Sequence, residues 1–187
     1  MICTHHYSKR KIVERKTVVL IVASEGYQPI EYNETKKVLE EGGMCVRTAS
    51  DKSGMAVASD KTTTMVDLTI NNIIPDRYDG IFFIGGPGAM DHLDNPTSYK
   101  LIKQMVKAGK LLGAICVTPR ILAKADVLTG KHATGWDGDN ELEGVFKKYG
   151  VIREPKDVVV DGNIVTATCP ASAQSFGEAI LKLLQEK

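Results

Sequence analysis

The sequence predicts an α/β sandwich, in which a mostly parallel sheet carries helices on both faces. Strand-like apolar runs alternate along the chain with amphipathic helix patterns, the order expected of parallel strands joined by crossover helices. The apolar runs are continuous rather than alternating, as suits strands buried on both faces. The 187 residues are 43% hydrophobic, which is enough for one domain with a sizeable core.

Turn and capping residues separate the predicted elements. Strands are predicted over 17–23, 44–50, 78–84, 110–115 and 131–136, and helices over 29–41, 96–109, from 119 onward, 139–150 and 172–187. Gly42 and Gly43 end the first helix. Residues 158–168 predict a hairpin with Asp-Gly at its turn. Residues 51–78 are less regular and predict short strands and a linker.

Charge and hydropathy argue against several classes of protein. The net charge of +1 indicates neither nucleic acid nor an anionic membrane as a partner. No apolar stretch reaches the roughly 18 residues of a membrane span, and the N-terminus lacks the pattern of a secretory signal. A cytoplasmic protein is therefore expected. Residues 1–16 predict a flexible basic extension, and residues 17–187 a single domain.

The four cysteines are predicted to act as single thiols. Cys3, Cys45, Cys116 and Cys169 are widely spaced and form no CxxC pair, which argues against a disulfide framework and a zinc cage. Cys3 with His5 and His6 could hold a metal ion, but a solvated arm is the favoured interpretation. We expect neither a metal nor a cofactor.

Three chemically different features are predicted to meet at one edge of the sheet. The first strand runs into an acidic loop at Glu25, the 78–84 strand into the glycine loop 85–88, and the 110–115 strand into Cys116. In open α/β sheets, ligands bind outside the carboxyl ends of the strands. A carboxylate, free backbone N–H groups and a thiol are therefore expected at a common site.

Cys116 falls in a tight strand-to-helix turn. Thr118 is a good N-cap and Pro119 a good first helical residue, so the thiol lies beside the N–H groups of a helix start. Such a position favours the thiolate and predicts a reactive cysteine. A buried, inert cysteine is the alternative.

The glycine loop is predicted to supply N–H donors rather than to bind a nucleotide. It lacks both the dinucleotide-binding spacing and the Lys-Ser/Thr of a phosphate loop. The N–H groups of Gly86 and Val117 could instead hold an oxyanion. Glu25 and Glu31 both remain candidates for the acidic role, since Glu31 could equally cap its own helix.

Four stretches resemble the DJ-1/PfpI superfamily, which includes the parkinsonism-associated deglycase and the PfpI-type intracellular proteases. They are "AICVTPRILAKADVLTGKHATGW", "FFIGGPGAM", the 31–43 helix and "DGNIVTATCPASAQSFGEAILKLL", and the resemblance runs from about Thr17 to Gln185. It implies a flavodoxin-like three-layer α/β/α sandwich, usually dimeric.

The resemblance also implies roles for individual residues. It makes Cys116 the nucleophile, selects Glu31 rather than Glu25 as its acidic partner, and turns the Gly86 N–H toward the thiol. Pro170 matches a proline that reaches the partner subunit's site.

One departure from the family concerns the base. PfpI-type members follow the cysteine with a histidine, where this chain has Val117; other members take a histidine from the short downstream strand, where it has Trp136. His92 and His132 remain, and surface or packing roles are favoured for both. A Cys-His proteolytic mechanism is therefore disfavoured.

Without an imidazole, Glu31 is predicted to be protonated and to donate to a Cys116 thiolate. Two like charges about 4 Å apart repel by roughly 4 kcal/mol at an effective dielectric constant near 20, so the pair should share one proton. This arrangement fits turnover of small reactive dicarbonyls, as in a glutathione-independent glyoxalase or deglycase. It also fits a redox sensor without turnover, with Cys169 as a resolving thiol. An intracellular peptidase is the third possibility.

Overall fold

The computed structural model describes residues 15–186. The strands are β1 (Thr17–Val22), β2 (Glu25–Tyr27), β3 (Cys45–Ser50), β4 (Gly54–Ala58), β5 (Thr63–Val66), β6 (Leu68–Thr69), β7 (Gly80–Phe83), β8 (Leu111–Ile115), β9 (His132–Ala133), β10 (Ile152–Arg153), β11 (Val158–Asp161) and β12 (Ile164–Ala167). The helices are α1 (Pro29–Glu41), α2 (Ala89–Leu93), α3 (Pro96–Lys107), α4 (Pro119–Lys124), α5 (Leu142–Lys148) and α6 (Ala173–Gln185). The predicted extension up to residue 14, with Cys3, His5 and His6, lies outside the described residues.

A seven-stranded sheet forms the centre of the fold. Its strand order is β11-β12-β8-β7-β1-β3-β6, and only the β11–β12 hairpin is antiparallel. Helices α1 and α6 pack together and contact the sheet, while α3 and α4 pack together and also contact β8. Because β8 contacts both α6 and the α3–α4 pair, helices cover both faces of the sheet. The predicted α/β sandwich is confirmed.

The core follows from the continuous apolar strands. Residues 18–22 of β1 and 81–83 of β7 are completely buried, as expected for central strands covered on both faces. The Phe82 ring on β7 packs edge-to-face against Phe176 on α6, with ring centroids 6.3 Å apart. These contacts fix α6 against the sheet.

Two predicted elements are shorter than expected. The strand predicted over 131–136 is limited to β9, because the Trp136 N–H bonds to the Cys116 carbonyl and not to a neighbouring strand. The helix predicted from 139 begins at Leu142, because the Asp137 carboxylate accepts the Leu142 N–H. Residues 51–78 do contain short strands; β4 and β5 form a separate small sheet with β2.

The strand order creates a crevice at the carboxyl edge of the sheet. From β1 the chain continues to β3 on one side, whereas β7 pairs with β1 on the other side. Such a reversal of strand order is where open α/β sheets bind ligands. Segments that follow β1, β7 and β8 meet at this edge. Within residues 15–186, no helix is long and apolar enough to cross a membrane.

Candidate active site

Cys116 forms a sharp elbow directly after β8. Its φ of +67° lies in the left-handed region, which costs a residue with a Cβ about 1–2 kcal/mol. The elbow is anchored on both sides, since Cys116 N–H donates to Ala167 O at 3.0 Å and Cys116 O accepts the Trp136 N–H at 2.7 Å. These backbone bonds hold the thiol at the edge of the sheet.

Thr118 supports the elbow from inside. Its hydroxyl Oγ1 lies 2.7 Å from Ile115 O and 3.0 Å from Phe83 O, and it makes no side-chain bond to the N–H groups of α4. Thr118 is the N-cap of α4, as predicted, but its side chain does not cap the helix, because the hydroxyl bonds to carbonyls of β7 and β8. Pro119 is the first helical residue, as predicted.

Glu31 lies in the first turn of α1 and is completely buried. It does not cap its own helix, because Gln28 is the N-cap and accepts the Ile30 N–H through its side chain. The Glu31 carboxyl instead turns toward the glycine loop, where Oε2 accepts the Gly85 N–H at 2.9 Å. Its other oxygen, Oε1, is buried and has no hydrogen-bond partner of standard geometry among the described residues.

The glycine loop brings Glu31 and Cys116 together because it has no side chains. A Cβ on Gly85 would lie 2.5 Å from Cys116 Cβ and 2.9 Å from Glu31 Oε2. Gly86 has a φ of +121°, and a Cβ there would lie 2.4 Å from Gly26 O. Only glycine allows this approach of the three segments.

Glu31 and Cys116 are linked electrostatically. Burial raises the pKa of Glu31 from 4.5 to about 7, although the Gly85 N–H and the Cys116 thiol lower it. The pKa of Cys116 is raised from 9.0 to about 12 by burial, by the Glu31 charge and by a hydrogen bond with Glu31. The backbone N–H groups of Val117 and Gly86 act in the opposite direction and lower this pKa. Between about pH 7 and about pH 12 the pair therefore carries one negative charge and keeps one proton.

Glu25, the other acidic candidate, does not take part in this pair. It lies in β2 with its side chain exposed. Glu25 contacts the glycine loop through its backbone, since a Cβ on Gly88 would lie 1.9 Å from Glu25 O. Glu25 thus packs against the glycine loop, while Glu31 approaches the thiol.

The two candidate histidines are bound elsewhere. His92 Nδ1 lies 3.1 Å from Asp51 Oδ2 and 3.2 Å from Ser24 Oγ. This is not a Ser-His-Asp triad, in which serine and aspartate contact different ring nitrogens. His132 is exposed, and its Nδ1 lies 2.6 Å from Glu154 Oε1. Within residues 15–186, neither imidazole ring is among the hydrogen-bond partners of the Cys116 thiol.

The remaining predicted residues lie around the elbow. Val117 is partly buried and directs its N–H to the thiol. Trp136 is partly buried in the loop after β9, not on the strand itself. Pro170 starts a short 3₁₀ turn after β12, the strand next to β8.

Cys169 lies in a second thiol environment beside Pro170. Burial would raise its pKa, but the Thr168 and Ser172 hydroxyls, with the N–H groups of Ala171 and Ser172, lower the pKa below the usual 9.0. Its Sγ lies 3.8 Å from Ser172 Oγ, and the side chain is partly exposed.

Sequence reasoning missed two residues near the site. Gly85 positions Glu31 through its N–H, and only the neighbouring Gly86 was singled out. Arg120, on α4, is buried and binds Asp139. A basic residue so close behind the elbow was the available signal. Within residues 15–186, no group of three or more His, Cys, Asp or Glu side chains could hold a metal ion.

Comparisons with known proteins identify relatives of the chain in sequence and in fold. The family model described as the DJ-1/PfpI family matches residues 16–183. An uncharacterized protein of Methanocaldococcus jannaschii is 34% identical over 187 residues, which are 100% of this chain and 91% of that protein. A deglycase of Pyrococcus abyssi is 30% identical, covering 89% of this chain and 99% of that protein.

Two further relatives extend the comparison. A glutathione-independent glyoxalase of Caenorhabditis elegans is 25% identical, covering 91% of this chain and 90% of that protein. The crystal structure of a ThiJ/PfpI domain protein from Brachyspira murdochii superposes with a TM-score of 0.88 at 26% identity. That alignment covers 93% of this chain and 99% of the other, so the two share a flavodoxin-like fold.

Proposed function

The chain belongs to the DJ-1/PfpI family, and we propose that it converts small reactive dicarbonyls with Cys116 as nucleophile and Glu31 as proton shuttle. Methylglyoxal is the simplest substrate of this class, and its product would be lactate. Glycated thiols or amines are variants of the same chemistry. The proposal includes no metal and no cofactor.

The unpartnered Glu31 Oε1 carries the proposal. A buried carboxylate oxygen without a donor is costly, which favours the protonated form of Glu31, and the Glu31 carboxyl hydrogen-bonds with the Cys116 thiol. Two backbone N–H groups, from Gly86 and Val117, face the sulfur, and one, from Gly85, faces the carboxyl. The pKa of Glu31 near 7 and that of Cys116 near 12, taken one residue at a time, would put the charge on the carboxylate. We instead assign the single negative charge of the pair to sulfur and the shared proton to Glu31, because more N–H donors face the sulfur than the carboxyl and Oε1 has no donor.

This assignment supports a complete reaction. The thiolate adds to the aldehyde carbon of methylglyoxal, and Glu31 gives its proton to the new alkoxide, which leaves a hemithioacetal. The Glu31 carboxylate then removes the proton from that carbon and returns it to the neighbouring carbon, while the hydroxyl proton passes to the former ketone oxygen, which forms a thioester of lactate. Water hydrolyses the thioester and releases lactate and the thiol. The N–H groups of Gly86 and Val117 stabilise negative charge at the site.

The alternative is a redox-sensing protein without turnover. In this function Cys116 would oxidise to a sulfinate held by Glu31 and the Gly86 N–H. The lowered pKa of Cys169 favours it as a second reactive thiol. It could condense with the sulfenic acid that a peroxide first forms at a partner's Cys116, giving a disulfide and water before further oxidation to the sulfinate. The peptidase function is weaker, because Val117 replaces the family's histidine and both candidate histidines have other partners.

The same proposal places the protein in the cytoplasm as a homodimer. The single thiols support a reducing compartment, since Cys45, Cys116 and Cys169 are all free. In the dimer, Pro170 and Trp136 would line the site around the elbow.

Methylglyoxal consumption without glutathione tests the proposed function. The wild type should form lactate, and Cys116→Ser should form none, while Cys45→Ser, which removes a thiol far from the crevice, should match the wild type. A wild type that forms no lactate but oxidises at Cys116 under mild peroxide would refute turnover and support the sensor.

A further inference from the structure

Arg120 is a buried cation directly behind the catalytic elbow. It is the second residue of α4 and only 5% exposed. Its guanidinium binds Asp139 through two parallel bonds, Nη1 to Oδ2 at 2.8 Å and Nη2 to Oδ1 at 2.5 Å. This two-pronged geometry is specific to arginine and fixes both partners in orientation.

The same guanidinium also holds Trp136. Nη2 donates to Trp136 O at 3.1 Å, and the guanidinium carbon lies 5.8 Å from the centroid of the indole ring. The backbone N–H of Trp136 also donates to Cys116 O at 2.7 Å. Arg120 and Cys116 therefore hold Trp136 between them.

The loop that carries Trp136 has no regular secondary structure of its own. Residues 134–141 form neither helix nor strand, and they connect β9 to α5. The ring packs closely on this loop, since a Cβ on Gly138 would lie 2.4 Å from the indole Cζ2. Asp137 binds Arg153 and the Leu142 N–H, which fixes the end of the loop nearer to α5. Arg120 therefore supplies both a hydrogen bond to the Trp136 backbone and a contact with the indole ring.

We propose that Arg120, fixed in orientation by Asp139, is a positioning residue that holds Trp136 as a wall of the Cys116 site and restricts the site to small carbonyl compounds. This inference rests on the proposed function, in which Trp136 lines the site. The indole has no basic nitrogen, so the wall limits size without supplying a second proton acceptor. Proton transfer is left to Glu31.

Asp139→Asn tests this positioning role, because Asp139 is exposed and asparagine keeps its size while removing the charge and one acceptor oxygen that fix Arg120. Trp136 is the only tryptophan in the chain, so its fluorescence reports the loop directly. We expect the emission maximum of Asp139→Asn to shift to longer wavelength and acrylamide quenching to increase. The ratio of kcat/KM for methylglyoxal to that for phenylglyoxal should fall about tenfold, as a pocket wall loosens. Arg120→Lys keeps the positive charge but cannot make the two parallel bonds to Asp139, so it should show the same changes in emission and selectivity.

Glu143→Gln is the matched control. It removes the contact between Glu143 and Arg153 at 3.0 Å in the same region and leaves Arg120 untouched, so emission and selectivity should equal those of the wild type. Unchanged emission and an unchanged ratio in Asp139→Asn would overturn the proposal.

A second readout separates this inference from the proposed function. If the wild type turns over neither dicarbonyl, the proposed function fails, and the wall is tested by alkylation of the Cys116 peptide, followed by mass spectrometry. Asp139→Asn should then speed alkylation by N-phenylmaleimide more than alkylation by the smaller iodoacetamide. Equal acceleration by both reagents would overturn the proposal that Trp136 forms a wall of the Cys116 site.

Discussion

The buried carboxyl of Glu31 interacts with the thiol of Cys116, and burial together with this neighbouring carboxyl raises the pKa of the thiol. The two residues come from different elements, α1 and the turn after β8. Glycines between them allow the approach, since Gly85 has no Cβ to separate the groups. The chemistry we propose depends on this one pair, and most of the predictions below test it or its support.

The buried Glu31 makes stability depend on pH. Burial raises its pKa from 4.5 to about 7, where the Glu31–Cys116 pair loses its first proton, so the folded state binds that proton more tightly than the unfolded chain. The stabilising effect is complete below about pH 4.5 and is lost as the pH rises through about 7. The difference corresponds to about 3 kcal/mol. Urea unfolding between pH 4 and pH 8 should show this loss in the wild type and not in Glu31→Gln.

Glu41→Gln is the control for that measurement, because Glu41 is exposed on the same helix. It should retain the pH dependence of the wild type. If Glu31→Gln and the wild type lose stability in parallel, the buried carboxyl does not titrate as described.

Gly86→Ala should lose both stability and Cys116 reactivity. The new Cβ would lie 2.4 Å from Gly26 O at a φ of +121°, so the glycine loop must move away from the thiol. Gly130→Ala is the matched control, because Gly130 also has a positive φ, +72°, but nothing lies within 4 Å of its Cβ position. That variant should lose only about 1–2 kcal/mol and keep its reactivity. Equal losses in both variants would contradict the tight approach.

Thr118→Val should weaken the elbow. The substitution keeps the shape of the side chain but leaves Ile115 O and Phe83 O without the hydroxyl donor, at a cost of about 1–3 kcal/mol. Thr129→Val removes a hydroxyl that is exposed and should cost less. Chemical denaturation measures both. A Thr118→Val protein as stable as the wild type would mean that the hydroxyl does not hold the turn.

His92→Asn and His132→Asn should keep methylglyoxal turnover close to that of the wild type. Both imidazoles already bind other side chains, His92 with Asp51 and Ser24, and His132 with Glu154. Steady-state kinetics of the two variants test this directly. Loss of kcat in either one, with the fold retained, would point to an imidazole base and revive the Cys-His mechanism.

The central strands and the elbow could be predicted from the sequence, because they depend on local pattern. Continuous apolar runs are typical of strands buried on both faces, and the residue after such a run falls at the carboxyl edge. Cys116 and the glycine loop were found in this way. Local sequence pattern could not decide between Glu25 and Glu31, because the Gly85 N–H that binds Glu31 lies 54 residues later in the sequence.

Side-chain partners explain where sequence reasoning failed. Thr118 has the composition of an N-cap, yet its hydroxyl bonds to carbonyls of two strands, which become neighbours only in the folded sheet. Trp136 was assigned to a strand, but its N–H bonds to the elbow. From the sequence alone, Arg120 could be an ordinary exposed residue of helix α4, and only the fold shows that Asp139 lies beside it.

The most direct test of the central claim is the alkylation rate of Cys116 as a function of pH, followed on its own peptide by mass spectrometry, in the wild type and Glu31→Gln. If Glu31 holds the shared proton, the wild-type rate rises through about pH 7, where the pair loses its first proton. Glu31→Gln then raises the midpoint, because the thiol must ionise without that partner. A wild-type midpoint near pH 12 that falls in Glu31→Gln would contradict the account, since the charge would then lie on the carboxylate and hold the thiol protonated.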